Sequence, residues 1–308
     1  MLNTLTYTPE SLNALAAEGT SALTRCDGLY EQSLRDAAEA LAQGTLTHPI
    51  ILLAGPSGSG KTTTAHKIEK YLDNMGHEAH TVSMDNYFYR RADGFVPRDE
   101  EGNQDFESPL NLDMELFARH TAQMARCERV EMPTFDFVNQ RRARETVTVE
   151  RKKGEIIIFE GIHALNPEVL SDQSFSRRIY ICPAAEVLLP DGRVVSQQHI
   201  RLLRRLMRDK VHRGSSFDDS LRKFGSVCRG ERLFIDPYRD NADLRIDTFL
   251  PYELNVYAGY LRESLKDASP ELISAAGADA AVELLNMLNP IGVADVSRDS
   301  LIQEFLAL

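Results

Sequence analysis

The sequence predicts an α/β fold built on a parallel five-stranded sheet whose two faces are covered by helices. Five short apolar runs, each too short for a helix, alternate with stretches of helical periodicity. Such runs are typical of strands buried on both faces, and strands that alternate with helices form parallel sheets. The predicted strands are 49–55, 78–85, 155–161, 177–183 and 243–251, and the predicted helices between them are 61–74, 111–127 and 196–212. The loops that follow the strands then carry the chemistry, at the carboxyl edge of the sheet.

Two helical regions flank this core. Apolar residues at three- and four-residue spacing predict helices over 9–43, which we interpret as a scaffold packed on the core. The predicted organisation is an N-terminal helical extension (1–48), a core (49–265) and a C-terminal helical tail (266–308). Within the core, the polar segment 90–107 is expected to be a mobile surface loop beside the site.

Composition and charge narrow the classes of function. The chain has 308 residues, a formal net charge of −11 and a sequence pI near 5.3. An acidic chain argues against a general nucleic-acid surface, which needs a basic face. The four cysteines lie far apart and form no CxxC pair, which predicts neither a zinc site nor a disulfide framework. We see no signal peptide and no apolar run long enough to span a membrane, so we expect a cytoplasmic protein.

The strongest motif follows the first predicted strand. Residues 55–62, "GPSGSGKT", match G-x-x-x-x-G-K-[ST] without a mismatch. In this motif the backbone N–H groups and the start of the helix hold phosphates, the lysine reaches the β- and γ-phosphates, and the hydroxyl ligates Mg²⁺. The sequence therefore predicts a P-loop nucleoside triphosphatase (NTPase) fold that binds ATP and Mg²⁺. The residues expected to bind ATP here are Gly55, Ser57, Gly58, Ser59, Gly60, Lys61, Thr62 and Thr63.

An acidic residue follows the second predicted strand. In "TVSMDNYFYR", Asp85 is placed to face the γ-phosphate and to accept the proton of an attacking hydroxyl. The alternative is an aspartate that caps a helix or forms a turn. The aromatic cluster directly after it, which includes Tyr87, favours a substrate pocket.

The run of motifs resembles the phosphoribulokinase and uridine kinase family of P-loop kinases, and most closely its bacterial uridine kinase-like branch. The segments that carry the resemblance span about 48–262. They are "GPSGSGKTT", "SMDNYF", "PRDEEGNQDFESP", "MPTFDF", "IIIFEGIHALNP", "RLLRRLMRDKVHRG" and "SVCRGERLFIDPYRDNADLRIDTFLPYELNVY".

The resemblance implies roles at the metal and at the acceptor. Asp85 would be the general base and would touch the Mg²⁺ shell, which Thr62 and Glu160 complete; the alternative for Glu160 is a water-exposed carboxylate at a strand end. Glu107 stands where uridine kinases carry the aspartate that holds the ribose hydroxyls. A glutamate still accepts two hydrogen bonds, so a vicinal diol remains a suitable ligand.

The segment 132–142, "MPTFDFVNQRR", resembles the hairpin that covers the base in uridine kinases. Phe135 and Phe137 would stack on a flat ring, or else pack on the core. Uridine kinases have a tyrosine where Phe135 stands and a histidine where Gln140 stands, and both bind the pyrimidine. This departure puts uridine itself in doubt, although Gln140 would substitute in part.

The local basic patch, "HIRLLRRLMRDKVHRG", resembles the family's lid helix, at about 197–216. The resemblance assigns Arg205 to the acceptor and the transferred phosphate, and Arg208 and Arg213 to the ATP phosphates. Arg201 and Arg204 belong to the same patch. The alternative is a solvated basic face paired with aspartates at 209, 218 and 219.

The motifs and the family resemblance together predict a phosphotransferase that uses ATP and Mg²⁺. Its acceptor is expected to be a small molecule, with a nucleoside favoured. Phosphorylated sugars, glycerate-like acids and pantothenate-like alcohols remain alternatives because members of the superfamily use them. A regulatory nucleotide-binding module with little turnover is a further alternative. A GTPase-like switch is disfavoured because the sequence has no N-K-x-D motif. By analogy with relatives, a homo-oligomer is possible, and we expect neither a nucleic-acid nor a membrane partner.

Overall fold

The computed structural model describes residues 4–89, 96–212 (the backbone alone at 210–212) and 216–306. Its α-helices are α1 (Pro9–Ala17), α2 (Thr20–Ala42), α3 (Lys61–Asn74), α4 (Met114–Ala125), α5 (Gln197–His212), α6 (Phe217–Phe234), α7 (Glu253–Ser264), α8 (Pro270–Ala275), α9 (Asp279–Met287) and α10 (Gln303–Leu306). Its strands are β1 (Leu5–Tyr7), β2 (Ile50–Ala54), β3 (Ala79–Ser83), β4 (Val130–Met132), β5 (Phe135–Asp136), β6 (Arg141–Arg142), β7 (Val147–Val149), β8 (Ile156–Glu160), β9 (Ser176–Cys182), β10 (Ala185–Leu188), β11 (Val194–Val195) and β12 (Leu244–Asp247).

The central sheet has five strands in the order β12-β9-β2-β8-β3, and every neighbouring pair is parallel. This confirms the predicted fold class. The five predicted apolar runs became these five strands, and α3, α4 and α5 occupy the three predicted helical stretches. Because β2 lies at the centre of the sheet, the loop that follows it is flanked by the carboxyl ends of β8 and β9.

The hydrophobic core lies on both faces of this sheet. Successive residues of β2 point to opposite faces. Ile51 and Leu53 belong to one apolar cluster, whereas Ile50 and Leu52 belong to the other. Helices cover both clusters, which explains why β2 and β8 are buried along their full length.

The two flanking regions pack into the first cluster. It contains residues from α1 and α2 together with residues from α9 and α10, among them Leu12, Leu34, Leu284 and Phe305. A hydrogen bond from the Asn13 amide to the carbonyl of Met287 (2.9 Å) also joins the two ends of the chain. The extension and the tail therefore share one core with the sheet.

Smaller sheets surround the central one. β1 pairs in parallel with β10, which pairs antiparallel with β11. β4 pairs with β7, and β5 with β6, each antiparallel. No helix in the described ranges combines the length and the apolar character that crossing a membrane requires.

Candidate active site

The P-loop (residues 55–62) connects β2 to α3 and depends on its glycines. Gly58 and Gly60 have φ values of +79° and +87°, in the left-handed region that other residues avoid. A Cβ added at Gly55 would lie 2.4 Å from the carbonyl oxygen of Ile181, so a larger residue does not fit there. The loop thus has the curled backbone that phosphate binding needs, and it leads directly into the amino end of α3. The eight residues that the motif predicted to bind ATP all lie in this turn and the first turn of α3.

Two buried arginines from α5 hold the backbone of the P-loop by hydrogen bonds. Nη1 of Arg201 donates to the carbonyl of Ser57 (3.1 Å), and Nη1 of Arg204 donates to the carbonyl of Gly58 (3.1 Å). Arg201 is 2% exposed and pairs with Glu231, and Arg204 is 0% exposed and pairs with Glu253. These two arginines shape the loop and do not extend from a lid. Their spacing placed them in the same basic patch as the predicted lid arginines, because spacing alone does not show which face of α5 packs on the loop.

Lys61, the first residue of α3, is surrounded by acidic groups. Its ammonium donates to the carbonyl of Pro56 at 3.2 Å. Burial lowers the pKa of Lys61, and the negative charges of Glu160 and Asp85 oppose that change. These three side chains therefore lie within electrostatic reach of one another at the carboxyl edge of the sheet.

The two strand-end carboxylates come from neighbouring strands. Glu160 ends β8 and pairs in register with Ser83, which ends β3. Asp85 follows two residues later, in a 3-10 turn (Met84–Tyr87) capped by the Ser83 hydroxyl, so the capping role belongs to Ser83. Glu160 is only 6% exposed, which contradicts the alternative of a water-exposed strand end. If Mg²⁺ binds here, these carboxylates and the Thr62 hydroxyl are the residues that could hold it, since Mg²⁺ prefers oxygen ligands.

Glu107 lies within electrostatic reach of Lys61 and Asp85. Burial raises the pKa of Glu107 to about 7; the positive charges of Arg205 and Lys61 oppose this rise, and the negative charges of Asp105 and Asp85 add to it. The backbone N–H of Glu107 donates to Asp105 (3.1 Å), which is itself held by Nη1 of Arg229 at 2.8 Å. An ion pair from α6 therefore fixes the position of Glu107.

The hairpin β5–β6 places its two phenylalanines differently. Phe135 is 8% exposed and packs edge-on against Phe88 (5.6 Å between ring centroids), whereas Phe137 is 55% exposed. The rings of Phe135 and Phe137 meet edge to face, with 5.1 Å between their centroids, so they do not form two parallel walls around a planar base. The Gln140 amide nitrogen donates to the carbonyl of Phe137 (2.6 Å) within the turn. Phe135 thus takes the packing role that was its alternative, and Phe137 alone presents an open ring.

Tyr87 was expected among the substrate contacts, but the structure places it beneath the site. Its side chain is 0% exposed and packs edge to face on Phe117 (5.1 Å) and on Phe159 (6.5 Å). Its hydroxyl bonds to Nδ1 of His120 (3.3 Å). The aromatic cluster after Asp85 is therefore partly core, and Tyr87 supports the pocket without lining it.

The predicted lid arginines lie along the second half of α5. The guanidinium of Arg205 pairs with Asp209 (3.3 Å), and its charge also acts on Glu107. The charge of Arg208 acts on Lys61. The structure thus brings Arg205 near Glu107 and Arg208 near Lys61. Arg213 lies outside the described residues.

The P-loop and the two strand-end carboxylates lie at the same carboxyl edge of a parallel sheet. This arrangement is typical of P-loop phosphotransferases. A family model described as "Phosphoribulokinase / Uridine kinase family" matches residues 50–252, and the chain belongs to that family of kinases. This confirms the family that the motifs predicted.

The chain is also similar to individual relatives and to solved structures. The uridine kinase of Bacillus pumilus is 33% identical over 200 residues, which cover 64% of this chain and 86% of that protein. The uridine kinase of Staphylococcus aureus is 32% identical over 198 residues, with the same coverages. A possible uridine kinase from Bacillus stearothermophilus is 18% identical with a TM-score of 0.48, over 70% of this chain and 99% of that one. A putative fructose transport system kinase from Silicibacter is 21% identical with a TM-score of 0.47, over 68% and 98%.

Proposed function

We propose that the protein is an ATP-dependent kinase that transfers the γ-phosphate to a hydroxyl group of a small metabolite, with a nucleoside as the acceptor. The observation that supports this most is the convergence of Lys61, Asp85 and Glu107 at one edge of the sheet, where each charge acts on the others. The uridine kinase relatives favour a nucleoside over other alcohols.

In the proposed reaction, the acceptor oxygen forms a bond to the γ-phosphorus while the bond from that phosphorus to the β–γ bridging oxygen breaks, and ADP leaves with the electron pair. Asp85 takes the proton of the acceptor hydroxyl. Lys61 and Arg208 stabilise negative charge on the phosphates, and Arg205 does so nearer the acceptor. Mg²⁺, when bound by Thr62, Asp85 and Glu160, supplies further charge neutralisation at the phosphates.

Glu107 positions the acceptor in this scheme. As a carboxylate it accepts two hydrogen bonds, which suits the vicinal diol of a ribose. The exposed ring of Phe137 offers a face on which a planar base would stack. We place the reaction in the cytoplasm, since the four cysteines are all free and indicate no oxidising compartment.

A second candidate keeps the reaction and changes the acceptor to a sugar phosphate, a glycerate-like acid or a pantothenate-like alcohol. Two observations favour considering it. Phe135 is buried against Phe88, and the Gln140 amide nitrogen is engaged by the hairpin turn. The two positions at which uridine kinases bind the pyrimidine are thus occupied differently in this protein.

The test is a coupled assay of ADP release from Mg-ATP, or of GDP release from Mg-GTP. The acceptors are uridine, cytidine, adenosine, guanosine, inosine, ribulose 5-phosphate, glycerate and pantothenate. We expect one nucleoside to raise the rate far above the background without acceptor. A response to a different alcohol alone would favour the second candidate. ATP binding with no response to any acceptor would favour the regulatory module.

Asp85→Asn tests the mechanism with the acceptor found in that panel. We expect loss of transfer by a factor of at least about 10², because the general base is removed, with ATP affinity nearly unchanged. Asp267→Asn, an exposed aspartate far from the site, is the matched control and should leave both unchanged. Unchanged turnover of Asp85→Asn would remove this residue from the mechanism.

A further inference from the structure

The C-terminal helix α10 places a carboxylate on the first turn of α3. Oε2 of Glu304 accepts a hydrogen bond from the hydroxyl of Thr63 (2.7 Å) and another from the backbone N–H of Thr63 (3.3 Å). Thr63 is the third residue of α3, directly after the lysine and threonine of the P-loop motif. The two residues are 241 positions apart, so no local pattern predicts this contact.

The Glu304 carboxylate lies at the start of α3, where a P-loop holds a phosphate. The first N–H groups of a helix have no acceptor within the helix, and the helix dipole favours negative charge there. In a P-loop these N–H groups hold the α- and β-phosphates of the nucleotide. The charge of Glu304 also acts on Lys61, the residue expected to reach the β- and γ-phosphates. Glu304 thus interacts with two groups that a bound triphosphate requires.

The backbone that carries Glu304 is fixed close to the P-loop. A Cβ added at Gly60 would lie 2.7 Å from Cδ1 of Leu301, so the tail rests on the last glycine of the loop. Leu301, Ile302 and Phe305 are all 0% exposed. Because displacing three buried apolar side chains is costly, we expect the tail to stay in place when a ligand binds. The Glu304 side chain is only partly buried, and it can change rotamer alone.

We propose that Glu304 competes internally with the donor nucleotide. In the nucleotide-free protein its carboxylate occupies an anion position on α3, and it leaves that position when a phosphate binds. The proposal rests on the proposed function, since it assumes a nucleotide phosphate at the start of α3. Glu304 is therefore a determinant of donor affinity, supplied by a tail that lies outside the 50–252 region matched by the family model.

The test is Glu304→Gln, with Mg-ATP and Mg-ADP titrated calorimetrically in the absence of any acceptor. The amide fills the same volume without the charge, so we expect the Kd of both nucleotides to fall on the order of tenfold. Glu304→Asp keeps the charge and withdraws it by one methylene, so its gain in affinity should be smaller. Asp299→Asn removes an exposed charge from the same segment and is the matched control, with a change below about twofold.

Thermal stability without nucleotide supplies an independent readout. Glu304→Gln weakens the link between α10 and α3, so we expect Tm to fall by roughly 2 °C while nucleotide affinity rises. A purely structural contact would lower Tm and leave the affinity unchanged or weaker, and that result would overturn the proposal. Equal gains for the Asp and Gln variants would also overturn it, because packing and not charge would then be responsible. If neither wild type nor variant binds ATP, the proposed function fails together with this inference.

Discussion

The carboxyl group of Glu107 should make both stability and acceptor binding depend on pH near neutrality. Burial raises its pKa to about 7 from the ordinary value of 4.5. The perturbation that isolates this group is Glu107→Gln, which keeps the shape and the hydrogen-bonding capacity of the protonated acid and removes its titration.

The sign follows from proton binding. Between pH 4.5 and about 7 the folded protein holds a proton on Glu107 that the unfolded chain has lost. Stability is therefore fully present below pH 4.5 and decreases as the pH rises through about 7. A rise in pKa from 4.5 to about 7 corresponds to at most about 3.5 kcal/mol, since one pKa unit corresponds to about 1.4 kcal/mol. For a chain of this size that is a difference in Tm of roughly 5 °C.

The assay is thermal unfolding of wild type and Glu107→Gln, followed by far-ultraviolet circular dichroism between pH 5 and pH 8. We expect the variant to gain stability relative to wild type from pH 5 to about pH 7, and the difference to level off above that pH. Glu101→Gln changes an exposed carboxylate on the same segment and should show no such trend. In the kinase assay, the acceptor KM of wild type should fall as the pH rises from 6 to 8, because the carboxylate accepts two hydrogen bonds. A stability difference that stays constant across this range would refute the argument.

Three further predictions concern the surroundings of Glu107, the P-loop and the hairpin. Gly230→Ala would place a methyl group 2.1 Å from Cβ of Glu107, so we expect the acceptor KM to rise roughly tenfold while a calorimetric ATP Kd stays the same. Arg204→Met leaves a buried glutamate unpaired and should cost about 3–5 kcal/mol, measured by urea unfolding; a neutral result would remove the ion pair from the stability of the loop. Phe137→Ala should raise the acceptor KM with little change in Tm, because its ring is exposed. Phe135→Ala should lower the free energy of unfolding by about 3 kcal/mol, because its ring is buried. Equal effects of the two variants on Tm would contradict this difference.

The sheet could be predicted because its strands carry a local signal. The signal is strongest in β2 and β8, which are five residues long and buried at every position. It is weaker in β3, β9 and β12, which mix apolar and polar residues over four to seven positions. β1 has no such signal: Leu5–Tyr7 is three residues long and is fixed by pairing with Ala185–Val187. A three-residue strand with a partner so far along the chain depends on tertiary structure, which periodicity does not report.

The same division holds within the site. The motif located the P-loop, since its glycines meet a local requirement of the backbone. The α5 arginines could be found as a cluster, but their roles depend on which face of the helix packs against the loop. For Tyr87 the local signal was misleading. Its position two residues after Asp85 suggested a substrate pocket, but its ring is buried in the core. Contacts made by residues far apart in sequence, such as Glu304 on Thr63, had no local counterpart.

The arrangement of α5 also limits how the site can close. Arg201 joins the P-loop to Glu231 of α6, and Arg204 joins it to Glu253 of α7. Breaking one such buried pair costs about 3–5 kcal/mol, so the first half of α5 belongs to the rigid frame of the loop. Arg205 and Arg208 follow on the same helix and direct charge toward Glu107 and Lys61. A lid that began at residue 197, as the resemblance implied, would have to break both pairs. The next apolar residues, Leu206 and Met207, are 2% and 1% exposed and belong to the first apolar cluster. We therefore expect the P-loop and α5 as far as Met207 to stay in place when a nucleotide binds.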